Sequence, residues 1–194
     1  MPDVANTPIK ICSRASLLIG GDAIQSFQDG TAEASVSSAM YEDMARSALT
    51  NSRWRFATDQ QVLARLSNAP TGRWEAAYQL PSEMIMLNVL TVNDLPIKYD
   101  LYGAKAFCNE PPNSEVVADY VFRANEASWP PYFTTAVEYM MAGVLAVSVA
   151  RDAALAGLME QKADYQMRQA RRLHSQQQTT RKLNTSRFIS ERRS

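Results

Sequence analysis

The sequence predicts an α+β protein, mainly α: a helical bundle of about four helices with an inserted small antiparallel β-sheet and an extended C-terminal arm. Three observations predict it. Apolar residues recur at helical spacing on both sides of the chain's middle, the period changes to alternation between Trp54 and Arg123, and all periodicity stops beyond Gln176. The length of 194 residues suits one domain, divided here into a body over 1–178 and an arm over 179–194. With 46% hydrophobic and 21% charged residues the chain belongs with packed globular proteins rather than disordered ones.

The first helix is predicted over 8–19, with Thr7 as N-cap, Pro8 in the first turn and Gly20-Gly21 as the stop; its inward stripe is Ile11, Cys12, Ala15, Leu18 and Ile19. The second, over 31–52, is capped by Thr31, carries Glu33 in its first turn and turns Tyr41, Met44, Ala45, Ala48 and Leu49 inward. The β insertion spans about 54–124. Its clearest strand is Arg73 to Leu80, where Trp74, Ala76, Tyr78 and Leu80 alternate with Arg73, Glu75, Ala77 and Gln79. Further strands are expected at Gln61 to Leu66, Ile85 to Val92, Ile97 to Tyr102 and Val116 to Phe122, separated by Pro, Gly and Asn breaks. A third helix over 131–150 repeats Phe133, Ala136, Val137, Met140, Met141 and Val144 and is expected at the centre of the core. The fourth, over 152–176, is expected to face Leu155, Leu158, Met159 and Tyr165 inward before turning polar and basic.

Several chemistries find no support in these residues. Zinc needs three or four close ligands, and the chain has one His and two distant Cys, so no metal and no cofactor is expected. Cys12 and Cys108 read as buried thiols. His174 is expected on a solvated helix face, without a nucleophile or orienting carboxylate nearby. Gly20-Gly21-Asp22 lacks the surroundings of a phosphate loop and reads as a helix stop. Glu42 and Asp43 are adjacent, point apart on a helix, and read as solvent-facing charges rather than an acid/base pair. No catalytic residue is nominated, and the chain is not expected to be an enzyme. The longest uncharged apolar run, Tyr139 to Ala150, falls short of a membrane span, and the first ten residues have no secretory pattern, so a protein made and kept in a cytosol is expected.

A net charge of zero conceals a division along the chain. Residues 1–167 hold 12 Lys and Arg against 19 Asp and Glu, a net −7, whereas 168–194 hold 8 against 1, a net +7. Three readings of the basic end remain open: a solvated helix terminus, a nucleic-acid-binding tail, or a docking arm. In the last, Arg181, Lys182, Arg187, Arg192 and Arg193 pair with carboxylates of a partner, and Phe188 and Ile189 supply an apolar anchor.

The order of several short motifs resembles the tail tubular protein A family, the head-to-tail adaptors of short-tailed bacteriophages. The residues carrying the resemblance are Ile11 to Ala15 with Leu17 to Gly20, Ile24 with Ser26, Phe27 and Asp29, then Trp54, Phe56 and Ala57, then Trp74 to Tyr78 leading to Leu80-Pro81, then Trp129, Pro130 and Phe133, and the basic tail. The resemblance implies a structural virion protein in the tail connector, assembled in the host cytoplasm as a homo-oligomeric ring, usually a dodecamer. Such a ring binds the portal protein, here through the seven arm residues just named, and presents a platform for a tail nozzle (tail tubular protein B-like) and tail fibres. Double-stranded DNA passes through its lumen during genome ejection, and no membrane is involved. A head-completion or connector protein of another tailed phage or gene-transfer particle is the nearest alternative. A nucleic-acid-binding protein using the basic tail is the alternative of another class.

Overall fold

A computed structural model describes residues 6–67 and 72–177. Within it the chain is an α+β fold dominated by helix, with α1 (Pro8–Leu18), α2 (Ala32–Thr50), α3 (Pro131–Ser148) and α4 (Ala153–Gln176) surrounding the β segment in sequence. Each start has a chemical cause. The Thr7 side chain accepts from the Lys10 amide at 3.2 Å, Thr31 accepts from Ala34 at 3.2 Å, and Asp152 accepts from both Ala154 and Leu155 at 2.9 Å, so donors that no helical carbonyl reaches are satisfied. Helix α3 instead begins with Pro131, whose missing N–H would have been unpaired there. Helix α1 ends at Leu18, one residue before the predicted end, and Gly20 beyond the Ile19 C-cap lies in the left-handed region with φ of 81°. The amides of Gly20 and Gly21 return to Leu17 and Ser16, and a Cβ on Gly21 would lie 2.7 Å from the Ser16 hydroxyl oxygen.

The strands are β1 (Thr58–Val62), β2 (Ala76–Gln79), β3 (Met84–Val92), β4 (Leu95–Pro96), β5 (Asp100–Tyr102), β6 (Lys105–Cys108) and β7 (Val117–Phe122). They form two antiparallel sheets, in the orders β1-β7-β3-β4 and β2-β6-β5, where one sheet was expected. Each sheet contains a tight turn. Asn93 and Asp94, with φ of 50° and 62°, make the two-residue turn between β3 and β4, and Gly103, with φ of 58°, helps turn β5 back into β6, a strand the sequence pattern does not announce. The expected strand Gln61–Leu66 also splits: its first residues complete β1, and the Leu66 amide then donates to Ala77 beside the second sheet. Of Ile97–Tyr102 only Asp100–Tyr102 forms a strand, while the Ile97 amide donates to the Leu90 carbonyl of β3 at 3.0 Å. On β2, Ala77, expected on the outer face, is buried along with Ala76 and Tyr78.

Two cores result. The helical core gathers Trp54, Phe133, Trp129 and Phe56, whose rings meet edge-on or tilted with centroids 4.9 to 6.0 Å apart. Both indole N–H groups are satisfied, Trp54 by the Ala48 carbonyl at 3.0 Å and Trp129 by the Ala124 carbonyl at 3.1 Å. A smaller core of Tyr78, Leu80, Leu90, Val116 and Tyr120 lies between the sheets, and Phe122 packs against both cores. Helix α3 is central, as expected, with Ala142, Gly143 and Ala146 giving α4 a close approach. No helix among the described residues is long and apolar enough to cross a membrane.

Candidate assembly surface

Helix α4 departs from the sequence reading in its phase. The buried positions are Ala156, Met159, Ala163, Met167, Ala170 and His174, while Leu158 and Tyr165, expected inside, are 46% and 54% exposed. Packing explains the choice. Against the small-residue face of α3 only alanines and pliable methionines fit at close range, so the larger Leu158 and Tyr165 turn outward. Ala156, Ala163 and Ala170 recur every seven residues, a pattern that was available in the sequence. Leu18 on α1 is likewise exposed rather than inward, and Ile19 is the half-buried C-cap.

His174 is the second correction. It is 7% exposed, not solvated, and it ties the last turn of α4 to the segment that follows α2. Its Nε2 accepts from the Arg55 amide at 3.2 Å and lies 3.2 Å from the Arg53 carbonyl. Its Nδ1 is 3.4 Å from the Tyr132 hydroxyl, and the ring stands edge-on to Trp54 at 5.3 Å. Burial lowers its pKa, the nearby Arg55 charge adds to this, and the Arg53 backbone contact opposes it. The neutral form that accepts from Arg55 carries its proton on Nδ1, toward Tyr132. Beside this latch the Arg55 guanidinium donates to the Gln177 carbonyl at 2.7 Å, and Arg171 donates to the Asn51 side-chain oxygen. The end of α4 is therefore held to the body at several points.

The other concentration of charge is structural. Arg123 donates to Glu126 at 2.5 Å and to Glu42 at 3.0 Å, Arg46 donates to Glu42 at 2.7 Å, and the Tyr41 hydroxyl donates to Glu126 at 3.0 Å. Glu126 is only 5% exposed, so this network satisfies a buried carboxylate, and Arg123 also stacks on the Trp129 ring at 5.6 Å. Burial alone would raise the Glu42 pKa, but the two arginines hold it below the usual value; burial and Glu126 push Tyr41 upward. Glu42 is thus tied into the network, whereas adjacent Asp43 remains a solvent-facing charge, and neither forms a dyad. Both cysteines are buried as expected, and burial pushes the Cys12 thiol up to about 12, which leaves it protonated and unreactive.

Among the described residues no group of three or more His, Cys, Asp or Glu is placed to hold a metal. An open groove of about 510 Å³ runs along α1 past Ile9, Ser13, Arg14 and Ile24, and a cleft of about 420 Å³ lies between Arg73, Trp74, Lys98 and Glu110. The surface offers apolar side chains turned outward: Leu158 and Tyr165 on α4, Leu95 on β4, and Leu101 and Tyr102 on β5. The proposed arm contacts, Arg181, Lys182, Arg187, Phe188, Ile189, Arg192 and Arg193, lie outside the described residues. No family model matches the chain, and no curated protein matches it.

Proposed function

We propose that the chain is a structural protein of a tailed-phage connector, similar to tail tubular protein A, that assembles into a ring between portal and tail nozzle and catalyses nothing. The observation that carries this reading is the way the basic end begins. Arg168, Arg171 and Arg172 sit on the final turns of α4, and that helix is locked to an acidic body by His174 and Arg55, so the cationic stretch that follows starts from a fixed point. A charged segment rooted rigidly in a domain of opposite charge suits a tether that engages a second molecule. The acidic body suits a lumen through which a polyanion must slide without being retained.

The experiment is removal of residues 179–194, which leaves the His174 latch intact. The truncated protein should melt like the full chain and fail to attach to portal-bearing heads. Normal attachment of the truncated protein would overturn the arm assignment.

A further inference from the structure

Helix α4 has a second face. Opposite the buried residues, positions 154, 158, 161, 165, 168 and 172 are spaced alternately by four and three, the interval at which one helix presents a straight seam to another. The first half of that seam is apolar, through Leu158 and Tyr165; the second half is cationic, through Arg168 and Arg172. Neither of these arginines makes an ion pair among the described residues. The seam carries no carboxylate of its own, so a second copy of the same seam would oppose arginine with arginine or with apolar side chains.

A matching face exists elsewhere on the same chain. Helix α1 contains no carboxylate, and the one on α3, Glu138, is taken by Arg14 at 2.5 Å. Helix α2 differs. Its exposed row Ala32, Ser35, Ala39 and Asp43 is small in its first part and acidic in its last, and Asp43 has no ion-pair partner among the described residues. Small residues leave room for protruding Leu and Tyr side chains, and the carboxylate answers the two arginines.

We infer that the outer seam of α4 in one copy packs on the outer face of α2 in the next, with Leu158 and Tyr165 over Ser35 and Ala39, and Arg168 and Arg172 against Asp43. The two faces differ, so the contact is heterologous: each copy uses α4 toward one neighbour and α2 toward the other, and repetition gives a ring if it closes. The inference rests on the ring reading above and adds to it the surfaces that build the wall.

The test is disulfide capture in the full-length chain, whose native Cys12 and Cys108 are both buried. A chain carrying Ala39→Cys and Tyr165→Cys together, concentrated with a mild oxidant, should give a ladder beyond dimer on a non-reducing gel, whereas either single variant should stay monomeric. Adding Arg168→Asp and Arg172→Asp should reduce the ladder by about tenfold, the loss of roughly 1.4 kcal/mol of pairing, and Asp43→Arg should restore it. No ladder from the double variant, or a dimer from Tyr165→Cys alone, overturns the contact; failed restoration overturns the role of Asp43. Circular dichroism of each variant checks that the fold survives. Particles that carry the protein in the connector while the double variant gives no ladder would sink this contact and leave the ring reading standing. A ladder from a protein absent from connectors would do the reverse.

Discussion

Replacing His174 by Ala removes the side chain that joins the end of α4 to the body, and its cost can be worked out from the contacts. The Arg55 amide, which donates to Nε2 at 3.2 Å, loses its acceptor in a partly buried position, a loss of about 1–2 kcal/mol. The edge-on contact with Trp54, with centroids 5.3 Å apart, contributes about 0.5–1.5 kcal/mol more. The sum is about 1.5–3.5 kcal/mol, which in a chain of this size lowers Tm by roughly 3–14 °C. His174→Phe keeps a ring against Trp54 but cannot accept from Arg55, so it should lose about half as much. Differential scanning calorimetry of the three proteins measures both steps, and hydrogen exchange at the Arg55 amide should accelerate in both variants. An Ala variant within about 0.5 kcal/mol of the parent would refute the latch, since that is the range of a surface substitution.

Four further outcomes follow from the same contacts. Because burial holds the His174 pKa below the ordinary value of 6.5, the unfolded chain takes up the proton first as pH falls; the stability is fully present above about 6.5 and declines below it, by at most about 1.4 kcal/mol per pH unit, until the folded pKa is reached. Melting curves between about pH 5 and 8 should show this slope and lose it in His174→Phe. Arg123→Met leaves the carboxylate of Glu126 buried without its cation and should cost about 3 kcal/mol or more in a urea melt. Gly143→Ala should raise stability by about 0.5–1 kcal/mol, since the added Cβ meets nothing nearer than the flexible Glu160 side chain at 3.4 Å and a helix interior favours Ala. Leu158→Ser should cost no more than about 1 kcal/mol, in contrast to a core leucine, because Leu158 is already 46% exposed.

Helix ends were legible in the sequence because they are written in local chemistry: Thr7, Thr31 and Asp152 cap where capping residues should, and the expected stop, Gly20, lies just past the end of α1. Helix faces were less so. The period of α4 is unambiguous, but its phase depends on the partner, and the alanine-lined face of α3 selected Ala156, Ala163 and Ala170 over the larger residues that hydrophobicity alone favours. The two sheets were hidden for a related reason. Lys105–Cys108 has no alternation long enough to read, and it becomes a strand only because the turn at Gly103 lays it between β2 and β5. His174 was misjudged because its basic and polar neighbours describe the exposed side of the helix, whereas the ring itself follows Met167 and Ala170 inward by three and four residues.

The division into two cores raises the question of what holds the helices to the sheets. Strand β7 lies at the centre of the connection: it pairs with β1 and β3, its Val121 belongs to the helical core, its Ala118 and Tyr120 belong to the core between the sheets, and Phe122 packs against both. At its end Arg123 is clamped by Glu42 from α2 and by Glu126, and Arg53 reaches Asp119 at 2.8 Å from the segment after α2. A displacement of the sheets relative to the helices must therefore break a buried, hydrogen-bonded ion pair or open the seam at Phe122, each costing several kcal/mol. The contacts of Phe122 and the Arg123 ion pairs therefore couple the helical core to the core between the sheets at one strand, β7.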